Sequence, residues 1–478
     1  MEQVNDKIHW LNQLQSVLAS GQLLVSPSEM VAYESDALGY KSYKPDAVAI
    51  PANIDELTAL IEEVKRINIP WVVRGAGTSL SGGPVAAQNG LVIHLSSLKS
   101  IEEVNPEDKY VVVQSGVTLK QLNRQLESYD LYYPPDPSSE LACTLGGNVA
   151  CNSGGSHCFR YGVTSNYVLG VEAILANGSV VRFGGPAGGR GNWKADWKRL
   201  FIGSEGTLGV FTRFWLRVVP KPEKVWTFRA SFSHFGQAVE AINQLVSHHS
   251  FPSAIEFMDP RSVNMVENSP MSAGIPKDSY LILTEIDGPT LLVDSRVDSV
   301  VGLLKACGSV DVAFSDDPEK RSQLWKARKV MGGLMGQVSP NFLVQDAVIP
   351  KKHLKQALRF IYEISDAHNI RVATILHAGD GNLHPNLLFD SKKPEECDAV
   401  EQISKELMRF VIDHDGTLSG EHGIGNDKSH YTSAYFGKTG KDLQLSIAYI
   451  FNPTHRLNPL KIFPERRFGE KHIPPQTN

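Results

Sequence analysis

The sequence predicts an α+β chain in two main parts, and three observations carry that reading. Three glycine-rich stretches lie in the first half, at residues 74–83, 134–155 and 203–209, and the first leaves an apolar strand. Near residue 220 the texture changes to strands alternating with long helices, which continue to about residue 370. The length of 478 residues suits two or three domains, and 42% hydrophobic with 21% charged residues is the balance of an ordinary globular protein.

Residues 1–45 hold short helical patterns. AVAIP (47–51) is an apolar strand. Asn53 is placed to cap the next helix, with Glu56 three residues on as in a capping box. Ile54, Leu57, Leu60, Ile61, Val64 and Ile67 then recur at helical spacing, and PWVVRG (70–75) is a second strand. LVIHL (91–95), YVVVQSG (110–116), a helix from Thr118 to about Tyr129 and a strand pair turning at Asn177 and Gly178 continue the pattern. VVPKPEK (218–224) marks the domain boundary, and SYLILTEI (279–286) typifies the strands beyond it. FNPTHRLNPLKIFP (451–464) is irregular, and the polar tail, residues 465–478, is expected to be disordered. No internal repeat or low-complexity segment stands out.

A net charge of −5 leaves no cationic excess for nucleic acid or an anionic membrane. No run of 18 apolar residues predicts a membrane span, though peripheral association stays open. MEQVNDKIHW has neither a basic n-region nor an apolar h-region, so no signal peptide is expected. The five cysteines form no CxxC, which argues against a disulfide framework or an iron–sulfur cluster and for a reducing cytoplasm.

The glycine-rich stretches have a common physical use. Glycine lets backbone amides approach phosphate oxygens, and successive amides form an anion-binding nest. RGAGTSLSGG (74–83) leaves a strand but is not a GxGxxG opening a helix, so it is no Rossmann fingerprint. With PPDPSSELACTLGGNVACNSGG (134–155) and GSEGTLG (203–209), in this order, it resembles the FAD-binding domain of the vanillyl-alcohol oxidase superfamily. The resemblance implies a two-subdomain FAD-binding domain over residues 1–222, N-terminal helices included. It implies that Arg74, Gly75, Gly77, Thr78 and Ser79 hold the pyrophosphate. It places Pro135, Ser138, Gly146, Gly147, Asn152 and Gly154 along the ADP and ribityl parts, with Glu205 and Val210 near the adenine. Members with covalent flavin often carry histidine in the first loop. Here Thr78 and Ser79 stand there, which implies dissociable FAD, and His157 reads as a surface or hydrogen-bonding histidine rather than a flavin link.

The second half carries RVATILHAGDGNLHPNLLF (371–389). VATIL and NLLF read as strands, with Asp380 and Gly381 as a two-residue hairpin turn. That turn sets His377 opposite His384, Cβ atoms about 5 Å apart on one face, and Asn386 shares the face. Two histidines in a hairpin are more often ordinary polar residues. GTLSGEHGIG (416–425) shifts the balance, because Glu421 would complete a His–His–carboxylate set with open positions. Such nitrogen and oxygen ligands suit zinc, manganese or iron(II).

HAGDGNLHP and SGEHGIG resemble the C-terminal signature of the FAD-linked D-2-hydroxy acid dehydrogenases, which include glycolate dehydrogenase catalytic subunits, D-lactate dehydrogenases and D-2-hydroxyglutarate dehydrogenases. The resemblance covers about residues 40–464. It implies that His377, His384 and Glu421 bind a metal, that His422 is the general base and that Asn386 touches substrate or the metal's surroundings. SQLWKARKVMGG (322–333) resembles the family's W-x-x-R element, so Arg328 would grip the substrate carboxylate; composition alone would equally allow a surface arginine. Asn458 matches a position that reaches the flavin, but Leu460 stands where the family usually has glycine. Hydroxyglutarate enzymes tend to carry a lysine where this chain has Val344, which favours a short monocarboxylate.

The expected parts are therefore a cap domain that binds substrate (223–425) and a C-terminal segment returning to the flavin (426–464). The expected activity is oxidation of glycolate or D-lactate to the 2-keto acid, with hydride passing to FAD. Electrons then leave to an external acceptor: a partner subunit, an electron-transfer flavoprotein or a quinone. A homodimer or a place in a larger complex is expected. A D-2-hydroxyglutarate enzyme, a metal-dependent hydrolase and a non-catalytic flavin subunit are the alternatives.

Overall fold

The structure is a computed structural model that describes residues 2–186 and 196–466. Its first half holds two small sheets and a two-stranded pair, Leu131–Tyr132 with Val219–Pro220. Leu23–Leu24, Ala47–Ala49, Leu91–His94 and Trp71–Arg74 lie side by side in that order, the last three parallel. The helix Ile54–Ile67 covers this sheet with Leu57, Leu60, Ile61 and Val64 buried, while Ile54 and Ile67 at its ends are only partly buried. Asn53 caps it through the Glu56 amide (2.9 Å). The capping box is only half formed, because the Glu56 carboxylate reaches past Asn53 to the Ala52 amide (2.8 Å). The second sheet is antiparallel, in the order Ile101–Asn105, Tyr110–Gln114, Val210–Arg217, Val168–Ile174, Val180–Gly184.

The second half is one antiparallel sheet of eight strands. Lys224–Phe232, Tyr280–Gly288, Ala254–Met258, Arg371–His377 and Asn382–Phe389 form its middle. Helices cover both faces, so its central strands are buried throughout and read as apolar runs. Phe257, Leu376 and Leu383 face an apolar layer that includes the helices Leu354–Ala367 and Pro394–Asp413. Because strand side chains alternate, Glu256, His377 and His384 lie on the other face. That face is covered by the helix Pro318–Val338 with Leu324, Met331 and Leu334.

The hairpin between the histidines differs from the expected one. His377 pairs with Asn382 and Ile375 with His384, so four residues, not two, form the connection. The Ala378 amide is claimed by the Ile255 carbonyl of the neighbouring strand (2.7 Å), which draws it out of the hairpin ladder. Gly381 (φ +82°) takes the left-handed turn position, and a Cβ there would meet the Ile349 carbonyl at 2.4 Å. The slip is two residues, an even number, so the faces are kept.

After the helix Thr432–Phe451 the chain returns to the first half. Leu457 bridges Trp71 beside the parallel sheet, and Asn458 Oδ1 accepts from the Val73 amide (3.0 Å). The tail is ordered further than expected: Arg466 is buried, its guanidinium donating to the Lys461 carbonyl (3.3 Å). Residues 467–478 of that tail lie outside the described residues. Among the described residues no helix is long and apolar enough to cross a membrane. All five cysteines are free thiols.

Candidate functional site

A cavity of about 390 Å³ lies where the glycine-rich loops converge. Gly75, Gly77, Thr78 and Ser79 line one side, Ser138 and Gly147 another, and Glu205, Asn458, Glu421 and His422 close it. Gly77 has φ +76°, and a Cβ there would stand 2.2 Å from the Arg74 guanidinium. A Cβ on Gly75 would stand 2.3 Å from Thr144 Oγ1. Among the described residues the amides of Ala76, Gly77, Thr78 and Ser79 find no acceptor. A close-approaching backbone with unclaimed N–H groups fits the pyrophosphate of a dinucleotide.

Other residues expected at the cofactor serve its walls. Arg74 turns away from the cavity and donates to the carbonyls of Ser35 (2.9 Å) and Ala32 (3.1 Å), which fastens the N-terminal segment to the loop. Gly146 permits close packing on Ser115, and Pro135 is buried. Asn152 ends the helix Leu145–Cys151 in a left-handed cap (φ 52°), its Oδ1 accepting from the Ser165 amide at 2.8 Å. Val210 belongs to the core under the parallel sheet. Gly154 lies at the boundary with the second half, where a Cβ would stand 3.0 Å from Glu421 Oε2. Glu205 reaches the same loop, accepting from the amides of Ile424 (2.6 Å) and Gly425 (2.7 Å).

The second site begins where the loop 419–423 meets the hairpin. The His377 and His384 rings lie 5.1 Å apart at 86°. Each has its Nδ1 committed: His377 donates to Glu256 Oε1 (2.5 Å) and His384 to the Gln345 carbonyl (3.2 Å). That leaves both Nε2 atoms facing one oxygen, Glu421 Oε1, at 3.2 and 3.3 Å. Glu421 Oε2 and His422 Nδ1 are buried without a partner among the described residues. Two imidazoles oriented through Nδ1, a carboxylate between them and an orphaned oxygen fit a divalent cation.

Two carboxylates that the sequence reading left without a role organise this site. Glu256 stands directly across from His377 on the adjacent strand, and its second oxygen accepts from Arg328 Nε at 2.7 Å. Its signal was available: a lone glutamate inside the apolar strand AIEFM needs partners if buried. Asp346 lies beneath the loop. Its Oδ2 accepts from Ser419 Oγ (2.6 Å) and from the amides of Gly420 (3.1 Å), Glu421 (3.2 Å) and His422 (2.8 Å). Lys428 Nζ lies 3.6 Å away. One carboxylate thus sets the backbone from which Glu421 and His422 project.

Burial opposes every charge here, and the partners decide the outcome. The His377 ring is held well above the usual histidine range by Glu256 and Glu421. Glu421 is held well below the carboxylate range by His377 and His384. His422, His384 and Lys428 bring Asp346 down to about 2 against its burial. His422 goes the other way: burial, aided by His384, pushes it down to about 4, although Asp346 and Glu421 pull it up. His422 stacks on His384 (5.1 Å, 17°) and lines the flavin-side cavity, so it joins the two sites.

Two expected residues sit differently. Arg328 is paired with Glu256 rather than directed at open space, which ties it to the partner of His377. Asn386 donates through Nδ2 to the carbonyls of Ala373 and His384, both at 2.9 Å, and keeps only a buried Oδ1 without a partner. Asn382, not His384, stands opposite His377, and its Oδ1 is also unpartnered.

Residues 45–184 match the FAD binding domain family, and residues 221–462 match the family of FAD linked oxidases, C-terminal domain. The chain is similar to the glycolate oxidase subunit GlcD of Escherichia coli K12, 33% identical over 98% of this chain and 94% of that protein. It is 29% identical to a D-lactate dehydrogenase of Anaerostipes hadrus, over 88% of this chain and 90% of that protein. In fold it resembles p-cresol methylhydroxylase solved with substrate bound, with a TM-score of 0.80 over 96% of this chain and 97% of that one at 15% identity. By these matches and the cavity they share a chain with, the protein belongs to the FAD-linked oxidases, flavoprotein oxidoreductases with a vanillyl-alcohol oxidase-type FAD-binding fold.

Proposed function

We propose that the protein oxidises a small D-2-hydroxy acid, glycolate or D-lactate, to its 2-keto acid. One observation carries the reading: His422 lines the flavin-side cavity and stacks on a buried His–His–carboxylate set, so a base and a cation site meet the cofactor's pocket. The similarity to glycolate oxidase subunits and a D-lactate dehydrogenase agrees with it.

When bound, non-covalent FAD supplies a two-electron acceptor, and a divalent ion of zinc, manganese or iron supplies a Lewis acid. His377, His384 and Glu421 would hold the ion, with Glu256 orienting His377. His422 is a free base at neutral pH, since its conjugate acid is pushed down to about 4. It would take the 2-hydroxyl proton, and bound flavin would supply the acceptor for the hydride from C2. Arg328 neutralises Glu256 and presents the remaining guanidinium N–H groups to the substrate carboxylate. Asn386 keeps its orphaned Oδ1 for the cation's surroundings. Electrons leave to an external acceptor, a partner subunit, an electron-transfer flavoprotein or a quinone, and we place the protein in the cytoplasm.

Anaerobic flavin bleaching by a panel of acids tests this. D-lactate and glycolate should bleach the flavin and L-lactate should not, a chelator should abolish the reaction, and zinc or manganese should restore it. Faster bleaching by D-2-hydroxyglutarate would overturn the substrate assignment. Bleaching that survives complete metal removal would overturn the role of the ion.

A further inference from the structure

The seam between the two halves carries one imidazole with a carboxylate at each end. His157 follows the second glycine-rich stretch. Asp136, in the PPDPS segment beside the flavin cavity, accepts from both the His157 amide (3.1 Å) and its Nδ1 (2.6 Å). On the other side Nε2 lies 3.0 Å from Oε2 of Glu285, on the second-half strand Tyr280–Gly288. A neutral imidazole has one N–H and would turn a lone pair on one of these carboxylates. With both carboxylates ionised, contact with both requires both nitrogens to donate, which makes the ring an imidazolium.

What lies behind Glu285 gives the bridge its reach. Its Oε1 accepts from Trp325 Nε1 (2.7 Å), from Arg321 Nη2 (3.2 Å) and, in a short contact, from Thr227 Oγ1. Arg321, Trp325 and Arg328 are spaced four and three apart, so they share one face of the helix Pro318–Val338. Arg328 meets Glu256, the cross-strand partner of His377. The groups facing His157 are thus Asp136 from the flavin loop, Glu285 from the sheet, Trp325 (rings 6.2 Å apart) and, through Glu285, Arg321 from the helix. Burial disfavours the charge, but the two carboxylates prevail and hold the ring well above the usual histidine range.

We propose that His157 is a positioning residue for hydride transfer, bridging Asp136 and Glu285 to fix the flavin-holding half against the half that holds metal and substrate. The proposal rests on the function proposed above. Hydride transfer needs the reacting atoms about 3–3.5 Å apart, and misplacement by about 1 Å is worth roughly 100-fold in rate. Flavin and substrate are held by different halves, so an error at the seam becomes an error in that distance. Arg160 and Tyr161 also cross the seam, both to Asp287 (2.6 and 2.8 Å), so the halves stay joined when His157 is replaced.

The test is His157→Gln in the FAD- and metal-loaded protein. FAD and metal contents should stay full and the KM for D-lactate should hold within about twofold. The single-turnover rate of anaerobic flavin reduction should fall roughly 10- to 100-fold. The deuterium isotope effect with C2-deuterated D-lactate should become more temperature-dependent than in wild type, a signature of a loosened donor–acceptor distance. Independently of any variant, nitrogen NMR of histidine-labelled wild type should show both His157 nitrogens protonated at pH 8. An unchanged reduction rate, a rate loss matched by loss of FAD or metal, or a neutral His157 ring at pH 8 would each overturn the proposal. Wild type that no 2-hydroxy acid bleaches overturns the functional reading, and this role with it, whatever the ring's protonation.

Discussion

Around the flavin cavity a ligand meets mostly backbone, whereas at His377 it meets side chains that hold one another. Gly75, Gly77 and Gly147 line the first site, and the amides of Ala76, Gly77, Thr78 and Ser79 find no acceptor among the described residues. In the second, Glu256 holds His377 and Arg328, while Asp346 holds the loop that carries Glu421 and His422. A backbone-built site depends on conformation and tolerates most side-chain changes. A site of buried charges fails when any one partner is removed, because the others are left uncompensated.

That contrast orders the expected effects. His422→Asn should lower the rate of flavin reduction by at least about 100-fold, the scale for losing a positioned base, with FAD and metal still bound. If metal leaves with the histidine, His422 is a ligand and the base lies elsewhere.

The next effect is on stability in acid. Glu285 is 3% exposed, and His157, Arg321 and Thr227 bring its carboxyl from 4.5 to about 2 against its burial. Its folded value is depressed, so its contribution is full above about pH 4.5 and is lost as pH falls through about 2. That depression is worth about 3 kcal/mol at most. Glu285→Gln should therefore be less stable than wild type at neutral pH, by a difference that shrinks between pH 4.5 and 2 in denaturant titrations. A gap that does not change with pH would show that packing, not charge, holds Glu285.

Glu256→Gln should weaken metal binding about 10- to 100-fold, the usual weight of a residue that orients a metal-bound histidine, as read by titration with zinc or manganese. In the returning segment, Leu460 has φ +64°, the left-handed region that glycine adopts without strain. Strain of about 1–2 kcal/mol there exceeds the entropy penalty of glycine, about 0.5–1 kcal/mol. Leu460→Gly should thus raise stability by up to about 1 kcal/mol, seen as a higher Tm. Smallest of all, Thr78→Ala should change FAD affinity by no more than about 0.5 kcal/mol, because its loop presents backbone. A loss comparable to that of Glu256→Gln would break the contrast between the halves.

The same contrast explains what the sequence makes legible. The flavin loops are visible because a backbone that needs left-handed or close-packed positions writes glycine into the chain at Gly77 and Gly75. The short motifs around His377, His384 and Glu421 are visible for a related reason: Gly379 and Gly381 mark the turn between the two histidines, and Gly420 and Gly423 flank Glu421. The hairpin register was misjudged by two because the Ile255 carbonyl, far away in the chain, competes for the Ala378 amide. Glu256 meets His377 across 121 positions, and Asp346 meets His422 across 76, so no local pattern announces either pair. Arg328 was marked by its motif, but its engagement with Glu256 depends on strand order, which no local spacing encodes.

The return of the chain end to the first half has a consequence for how the protein is made. Asn458 bonds the Val73 amide and the Glu205 carbonyl, and Lys461 donates to the carbonyls of Gly82 and Val85. One wall of the cofactor cavity is thus supplied by residues that leave the ribosome some 380 positions after the loop they close, the separation of Lys461 from Gly82 being 379. Domains emerge and fold from the N-terminus, yet this one waits for the rest of the chain before it can close on its cofactor. Flavin capture should therefore come late in biogenesis, and chains truncated before Asn458 should purify with less FAD than the full chain.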